Sequence, residues 1–229
     1  LFSNLFYPYP TRAKRGDTLN LVRGLYASNP SSIKTDFTKK GNPSFKLETL
    51  AELNNLPVEF AHDAFSDVKT SIALAKFVKD SDTKLWESFV LTMDKKQVAD
   101  YINNNSGITY LTNFGGRVSL EALSMVCESQ IYKGMYHTLK LSTDPTPLLE
   151  ANNAEFKSLL SKKPSKNRWL TTGEHPIFLD NSNAKNYPPY DGISSEILNE
   201  RKKMIYKNKS LTDKFKMYEI DRQLEKEEN

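Results

Sequence analysis

A chain of 229 residues with 38% hydrophobic and 11% aromatic content has room for one large domain or two small ones around a real core. Its net charge of +4, from 32 basic and 28 acidic side chains, permits contact with a polyanion without demanding it. No apolar run approaches the roughly 18 residues of a membrane span, and the single cysteine, Cys127, excludes an intramolecular disulfide or a cysteine-built metal site and suits a reducing, cytoplasmic compartment.

Leu1–Pro10 is rich in aromatics and proline and reads as an extended or turning segment. It lacks the basic lead and small-residue cleavage site of a signal peptide, and with neither an initiating Met nor a polar lead-in the chain reads as a fragment or a processed piece. Leu19, Val22, Leu25 and Tyr26 give helical spacing over Thr18–Ala27, and Asn29-Pro30-Ser31-Ser32 stops that helix. After a loop ending at Gly41-Asn42-Pro43, Ser44 is expected to cap a second helix whose apolar face is Leu47, Leu50 and Ala51, before a turn at Asn54-Asn55. A third helix is expected from about Asp63 to Lys79–Asp82, with Val68, Ile72, Ala75 and Phe77. A fourth, Lys84–Asn103, carries Trp86, Phe89, Val90, Met93, Val98 and Ile102.

From Gly107 to about Asp180 the pattern changes. Ile108–Leu111, Met125–Cys127, Met135–Leu141, Trp169–Thr171 and Pro176–Leu179 are short β-branched and aromatic runs parted by Gly, Asn, Asp and Pro, the mark of a small antiparallel sheet or barrel. One helix, Asn153–Leu160, interrupts them; after an Asn- and Pro-rich linker, Ser194–Lys207 and Leu211–Leu224 read as amphipathic helices. The expected class is α+β in three parts: helices, a β-rich module and terminal helices. Basic residues gather at Arg12–Arg15, Lys39–Lys46, Lys162–Arg168 and Arg201–Lys209, each more often a solvated surface than a nucleic-acid contact.

The segment Ala61-His62-Asp63-Ala64-Phe65-Ser66-Asp67-Val68 carries chemistry. Asp63 at a helix cap leaves His62 on the loop before it and Asp67 on the first turn, so both can converge on one cavity. A carboxylate there suits a hard divalent cation, and an imidazole can deprotonate a water bound to it for attack on a phosphodiester. Taken alone, a His–Asp pair at a helix start is more often a cap and a surface ring. Other candidates are weaker: His137 within a β-like run reads as packing or surface, and His175 before a proline as turn chemistry. Asn113-Phe114-Gly115-Gly116-Arg117 lacks the strand-to-helix setting of a phosphate loop, and Cys127 reads as a small core residue. Trp86, Tyr110, Phe114 and Trp169 have faces that suit base stacking, with core packing the commoner role.

Context sharpens the motif. Pro43-Ser44-Phe45-Lys46-Leu47-Glu48, then Leu50-Ala51, Asn54-Asn55 and Ala61-His62-Asp63-Ala64 through Ala75-Lys76, resembles bacterial exonuclease I, where this run covers the third exonuclease motif of the DEDDh superfamily. Arg15–Arg23, Asp144–Glu150, Gly173–Leu179 and Asp191-Gly192-Ile193 are similar to further family segments in the same order. The resemblance implies an RNase H-like exonuclease domain (its C-terminal portion, residues 1–83), an SH3-like antiparallel β module (84–183) and the start of a helical extension (184–229). It implies a 3′–5′ exonuclease on single-stranded DNA in repair and recombination, releasing mononucleotides with Mg²⁺ or, as a substitute, Mn²⁺. His62 matches the general base and Asp67 a metal-binding carboxylate; Tyr9, Arg23 and Lys46 match strand-facing positions, as does Lys95 at the edge of the β module.

There are departures. The family's opening Asp-x-Glu and its second-motif Asp have no counterpart, so the chain by itself is expected to be inactive, and Gly16 stands where the family usually has tryptophan. The resemblance further implies a monomer that docks the C-terminal tail of single-stranded DNA-binding protein. That docking is expected to be weakened, or shifted toward Lys162–Arg168, because Asn29 and Ser88 stand where the family tends to carry an arginine and a tyrosine. A noncatalytic single-stranded-DNA-binding or scaffold module is the main alternative. A proofreading or RNA-trimming relative fits less well, since those usually end soon after the third motif.

Overall fold

In the computed structural model, residues 14–57, 64–114, 116–179 and 193–227 are described. Short polar side chains open most of the helices. The Asp17 carboxylate accepts from the Leu19 amide at 2.9 Å and starts α1 (Thr18–Ser28), which buries Leu21, Val22, Leu25 and Ala27. A single 3₁₀ turn, Pro30–Ser32, follows where the stop was expected. Ser44 does not cap the next helix: it pairs with Asp36 in a two-residue ribbon of β1 (Asp36–Phe37) and β2 (Pro43–Ser44). The helix α2 (Leu47–Leu53) begins three residues later, behind Lys46, so the local preference of serine for a cap lost to strand pairing.

α3 spans Ala64–Ser81, and the expected Lys84–Asn103 helix is two, α4 (Thr83–Thr92) and α5 (Lys95–Asn104). The break lies at Asp94, whose carboxylate takes the Lys96 and Gln97 amides at 2.9 and 3.3 Å and so creates a fresh N-terminus inside a continuous apolar pattern.

The β-rich region forms one antiparallel sheet from β3 (Ile108–Phe114), β4 (Arg117–Glu128), β5 (Met135–Lys140), β6 (Asn167–Thr171) and β7 (Phe178–Leu179), in the order β6-β5-β4-β3-β7. Thus β7 returns past three strands to pair Phe178 with Tyr110 and Leu179 with Thr109. Between β5 and β6 lie the short α6 (Thr146–Glu150), which periodicity cannot resolve at that length, and α7 (Asn153–Ser161), held by a capping box of Asn152 and Glu155. α8 (Ser195–Ile205) and α9 (Lys209–Glu227) complete the described fold.

Helices cover both sides of the sheet. One face sets Ile108, Leu123, Met125, Tyr136, Leu170 and Phe178 against Val98 and Ile102 of α5. On the other, Leu111, Leu120 and Leu179 join a core with Leu21 and Leu25 of α1, Leu74 and Val78 of α3 and Leu85 and Phe89 of α4. Further along that face, Ala122, Val126 and Leu139 meet Leu148, Phe156, Ile205, Leu211 and Phe215 from α6 to α9. Cys127 belongs to this second cluster, and burial first, then Glu219, pushes its thiol up to about 12, as expected of an inert core residue. No helix among the described residues is long and apolar enough to cross a membrane.

His137 on β5 and Glu219 on α9 form a buried pair that the sequence reading did not foresee. They are 0% and 3% exposed, with Nε2 and Oε1 2.9 Å apart. The ring lies 4.2 Å from Trp169 and 4.6 Å from Phe215 between centroids, and the second Glu219 oxygen accepts from the Gln130 amide at 3.0 Å. Burial pulls the imidazole below its ordinary 6.5, and the carboxylate only partly offsets that. A proton therefore binds the unfolded chain more readily than the folded one. This contribution to stability is full above pH 6.5 and is lost as pH falls through the window below it. Thermal unfolding should show His137→Gln less stable than the parent at neutral pH, by roughly 1–3 kcal/mol for a disrupted buried polar contact. The gap should narrow toward pH 5.5; a constant gap would contradict the assignment.

Gly16 explains its own departure from the tryptophan of the resemblance. A Cβ there would stand 2.3 Å from Phe89 Cζ and 2.6 Å from Met93 Cε, so those two side chains already fill the space. Gly16→Ala should cost about 1–3 kcal/mol by overpacking, and adding Phe89→Leu should recover part of that loss in a denaturant titration.

Candidate functional site

Tyr9, His62 and Asp63 lie outside the described residues, as does most of Leu1–Arg15. Asp67 is on the first turn of α3, half-buried. The inner side of that turn is polar: Ser66 and Thr70 are each 3% exposed, and the Thr70 hydroxyl bonds the carbonyls of Ser66 at 3.0 Å and Pro57 at 3.3 Å. These bonds tie α3 to the segment after α2 and fix the height at which Asp67 stands. Phe65, Val68 and Ile72, spaced i, i+3 and i+7, are exposed on the opposite side, with the Lys69 ammonium 4.6 Å from the Phe65 ring.

A groove of about 340 Å³ runs between α1, α2 and α3, lined among others by Gly16, Leu19, Phe45, Leu47 and Ser71. Ser71 is one helical turn beyond Asp67, so the carboxylate shares the side of α3 that faces this groove. Phe45 is the hub on the far wall. Its ring meets Tyr26 edge-on at 5.6 Å and lies 5.8 Å from the Arg23 guanidinium, and the exposed Lys46 follows it in sequence. The structure thus groups Arg23 and Lys46 around one aromatic ring.

Arg23 is half-buried, and that burial lowers its pKa, with Asp17 opposing. Its guanidinium reaches the end of β3, where both Nη atoms are 3.1 Å from the side chain of Asn113 with the amide oxygen turned toward them. In the sequence Asn113 belongs to a glycine-rich turn, and no signal there joins it to α1. Lys95 occupies a neighbouring corner at the start of α5. A Cβ on Gly173 would lie 3.4 Å from its Cε, and Lys14 pairs with the preceding Asp94 at 3.4 Å. Gly16 links the two corners, because it lines the groove and abuts Met93 at the end of α4.

Among the described residues no three His, Cys, Asp or Glu side chains converge as metal ligands. Asp67 is a single oxygen donor group, and the described residues do not by themselves fit a divalent cation. The aromatic candidates divide. Trp86 packs on Phe89, Trp169 on His137, and Tyr110 lies 5.4 Å from the Arg168 guanidinium.

A second hollow, about 410 Å³, opens beside the end of α1 between Tyr26, Ser28, Pro30, Asn42, Pro43 and Arg117. Asn29 adjoins it, its side-chain oxygen bonded to Ser31 at 2.7 Å, while the Ser88 hydroxyl donates to the Phe178 carbonyl at 2.6 Å.

No model of a known protein family matches the chain. It is 35% identical over 119 residues to exodeoxyribonuclease I of Haemophilus influenzae, covering 50% of this chain and 25% of that protein. It is 32% identical over 106 residues to the Escherichia coli exodeoxyribonuclease I, covering 44% of the chain and 22% of the relative. The chain therefore spans about a quarter of the length of the curated relatives it matches. Among solved structures, the exonuclease I of Methylocaldum szegediense superposes with a TM-score of 0.68 at 18% identity, over 87% of this chain and 45% of that one. An exonuclease I complex with the SSB C-terminus gives 0.66 at 21%, over 87% and 45%. The E. coli enzyme bound to a dA16 oligonucleotide gives 0.66 at 23%, over 88% and 46%. At those identities the structures establish the fold.

Proposed function

Because this chain is a relative of bacterial exonuclease I, we propose that the protein it belongs to shortens single-stranded DNA from the 3′ end, releasing mononucleotides in repair and recombination. The carrying observation is the identity of about one residue in three with exodeoxyribonucleases I over about half of the chain. Within that reading residues 1–83 are the C-terminal portion of an RNase H-like domain, 84–183 an SH3-like module and 184–229 the start of a helical extension. His62 is the general base that takes the proton from the attacking water, and Asp67 one carboxylate of a Mg²⁺ or Mn²⁺ site. The cation would supply charge neutralisation at the phosphate; its other ligands would come from the length of the relatives that this chain does not span. Tyr9, Arg23, Lys46 and Lys95 hold the strand, the last three along the path from Phe45 past Gly16 to the start of α5.

The complete protein should degrade a 3′-exposed oligonucleotide to mononucleotides in Mg²⁺ and stop in excess chelator. His62→Ala should cut kcat by about 10²–10⁴-fold with little change in strand affinity, as loss of a general base does. Binding without turnover in Mg²⁺ would favour the scaffold alternative, and cleavage that persists in chelator would end the metal assignment. The 229-residue chain alone should show no turnover, since one carboxylate cannot hold two cations against their mutual repulsion.

Relatives of known structure have been captured with oligonucleotides and with the SSB C-terminus. We extend the second partner to this protein in weakened form. The hollow beside Asn29 offers one guanidinium, Arg117, and the side chain at Ser88 is too short to add a pocket wall. Binding of a labelled acidic tail peptide should therefore be weak and should drop as salt is raised, because an exposed cation is readily screened. Tight, salt-insensitive binding would reject this.

A further inference from the structure

An exposed asparagine at the tip of a hairpin has no evident reason to engage a half-buried arginine on a different layer, yet Asn113 does so through both Nη atoms at 3.1 Å. Two more elements complete the grip. Asn20, one turn earlier on α1, offers its side-chain oxygen to Nη1 at 3.4 Å, and Phe45 stands 5.8 Å from the guanidinium carbon. A free arginine side chain samples many rotamers, and ordering it costs entropy. Here a helix, a strand and a loop hold it in a single pose. The bonds account for three of the four Nη hydrogens, and Nε is buried with no partner among the described residues. With Nε buried, the one donor left for a ligand is the remaining Nη2 hydrogen, and a single charged N–H suits a phosphate oxygen.

We infer that Asn113 is a positioning residue for strand binding: it holds Arg23 so that the remaining Nη2 hydrogen meets a phosphodiester without first being ordered. This rests on the proposed strand-binding role of Arg23. A donor fixed before the ligand arrives binds more tightly than a mobile one, since the ordering entropy is lost during folding rather than during association. The hairpin between β3 and β4 thereby becomes part of the strand-binding surface although it lies outside the nuclease motif.

The test is a double-mutant cycle in the complete protein, reading KM and kcat for a poly-dT oligonucleotide in Mg²⁺. Asn113→Ala should raise KM about tenfold with kcat within about twofold, the signature of lost binding common to ground and transition states. Asn113→Gln, which keeps an amide oxygen within reach, should recover most of the loss. In an Arg23→Ala background Asn113→Ala should add nothing, since the two act as a unit. Thermal unfolding should find every variant folded, as Asn113 is exposed. Equal KM penalties for Asn113→Ala in both backgrounds would overturn the positioning role, because a general effect on the hairpin does not need Arg23. Wild-type KM in Asn113→Ala with a raised KM in Arg23→Ala would overturn it while leaving Arg23 as a strand contact. Wild-type KM in Arg23→Ala would remove both.

Discussion

Packing of α1 on the β3–β4–β7 end of the sheet holds the candidate site together. Leu21 and Leu25 are 0% exposed and meet Leu111, Leu120 and Leu179 from the strands and Leu85 and Phe89 from α4. Each such side chain is worth about 1.5–3 kcal/mol of burial, and the net stability of a domain is only about 5–15 kcal/mol. Loosening this interface would therefore cost a large part of the whole. Gly24 shows how closely α4 also packs on α1, since a Cβ there would lie 2.9 Å from Leu85 Cδ1. The groove refers back to this contact, since α1 is one wall and Leu74 and Val78 of α3 belong to the same core.

That dependence gives α3 its two-sided character. Leu74 and Val78 bury toward α1, while the first turn presents Ser66 and Thr70 inward and Asp67 to the groove side. A buried polar turn is costly unless its groups are bonded, and here the Thr70 hydroxyl closes onto two carbonyls. The polar residue types on the inner side of that turn are thus explained by the bonds that join α3 to the segment after α2.

Much of this was legible in the sequence, and the exceptions share a cause. Helical spacing located α1, α3, α7, α8 and α9 to within a few residues, and the β-branched runs located all five strands of the sheet. What failed were choices that the hydrophobic pattern does not encode, some local and some decided by partners distant in sequence. Ser44 had the chemistry of a cap but found a strand partner in Asp36, and Asp94 broke a pattern that its apolar neighbours carried straight through. His137 looked like a packing ring, which it is, but its carboxylate partner sits on the last helix. Within the candidate site, Asp67, Arg23 and Lys46 were named from local sequence and a resemblance, whereas Asn113 could be found only once the hairpin was folded over α1.

The polar contacts between layers answer a question that the apolar core leaves open. Leucine against leucine tolerates sliding, because one aliphatic surface resembles the next, so a core of this kind sets the spacing of layers more firmly than their register. Specific polar contacts set the register. Ser88 on α4 bonds the Phe178 carbonyl of β7, Asn113 on β3 grips Arg23 of α1, and Glu219 on α9 reaches His137 of β5. Each joins a helix to a different strand, and together they pin three helices to the sheet at defined heights. Their net energies are individually small, about 0.5–1.5 kcal/mol for a neutral bond, but a displacement of one turn would strip the half-buried Arg23 and Ser88 of their partners and separate the buried His137 from Glu219. That penalty distinguishes one register from its neighbours. The same bonds place Arg23 beside Phe45 and the groove, so the geometry proposed to grip a DNA strand is fixed by interactions that also determine how the helices sit on the sheet.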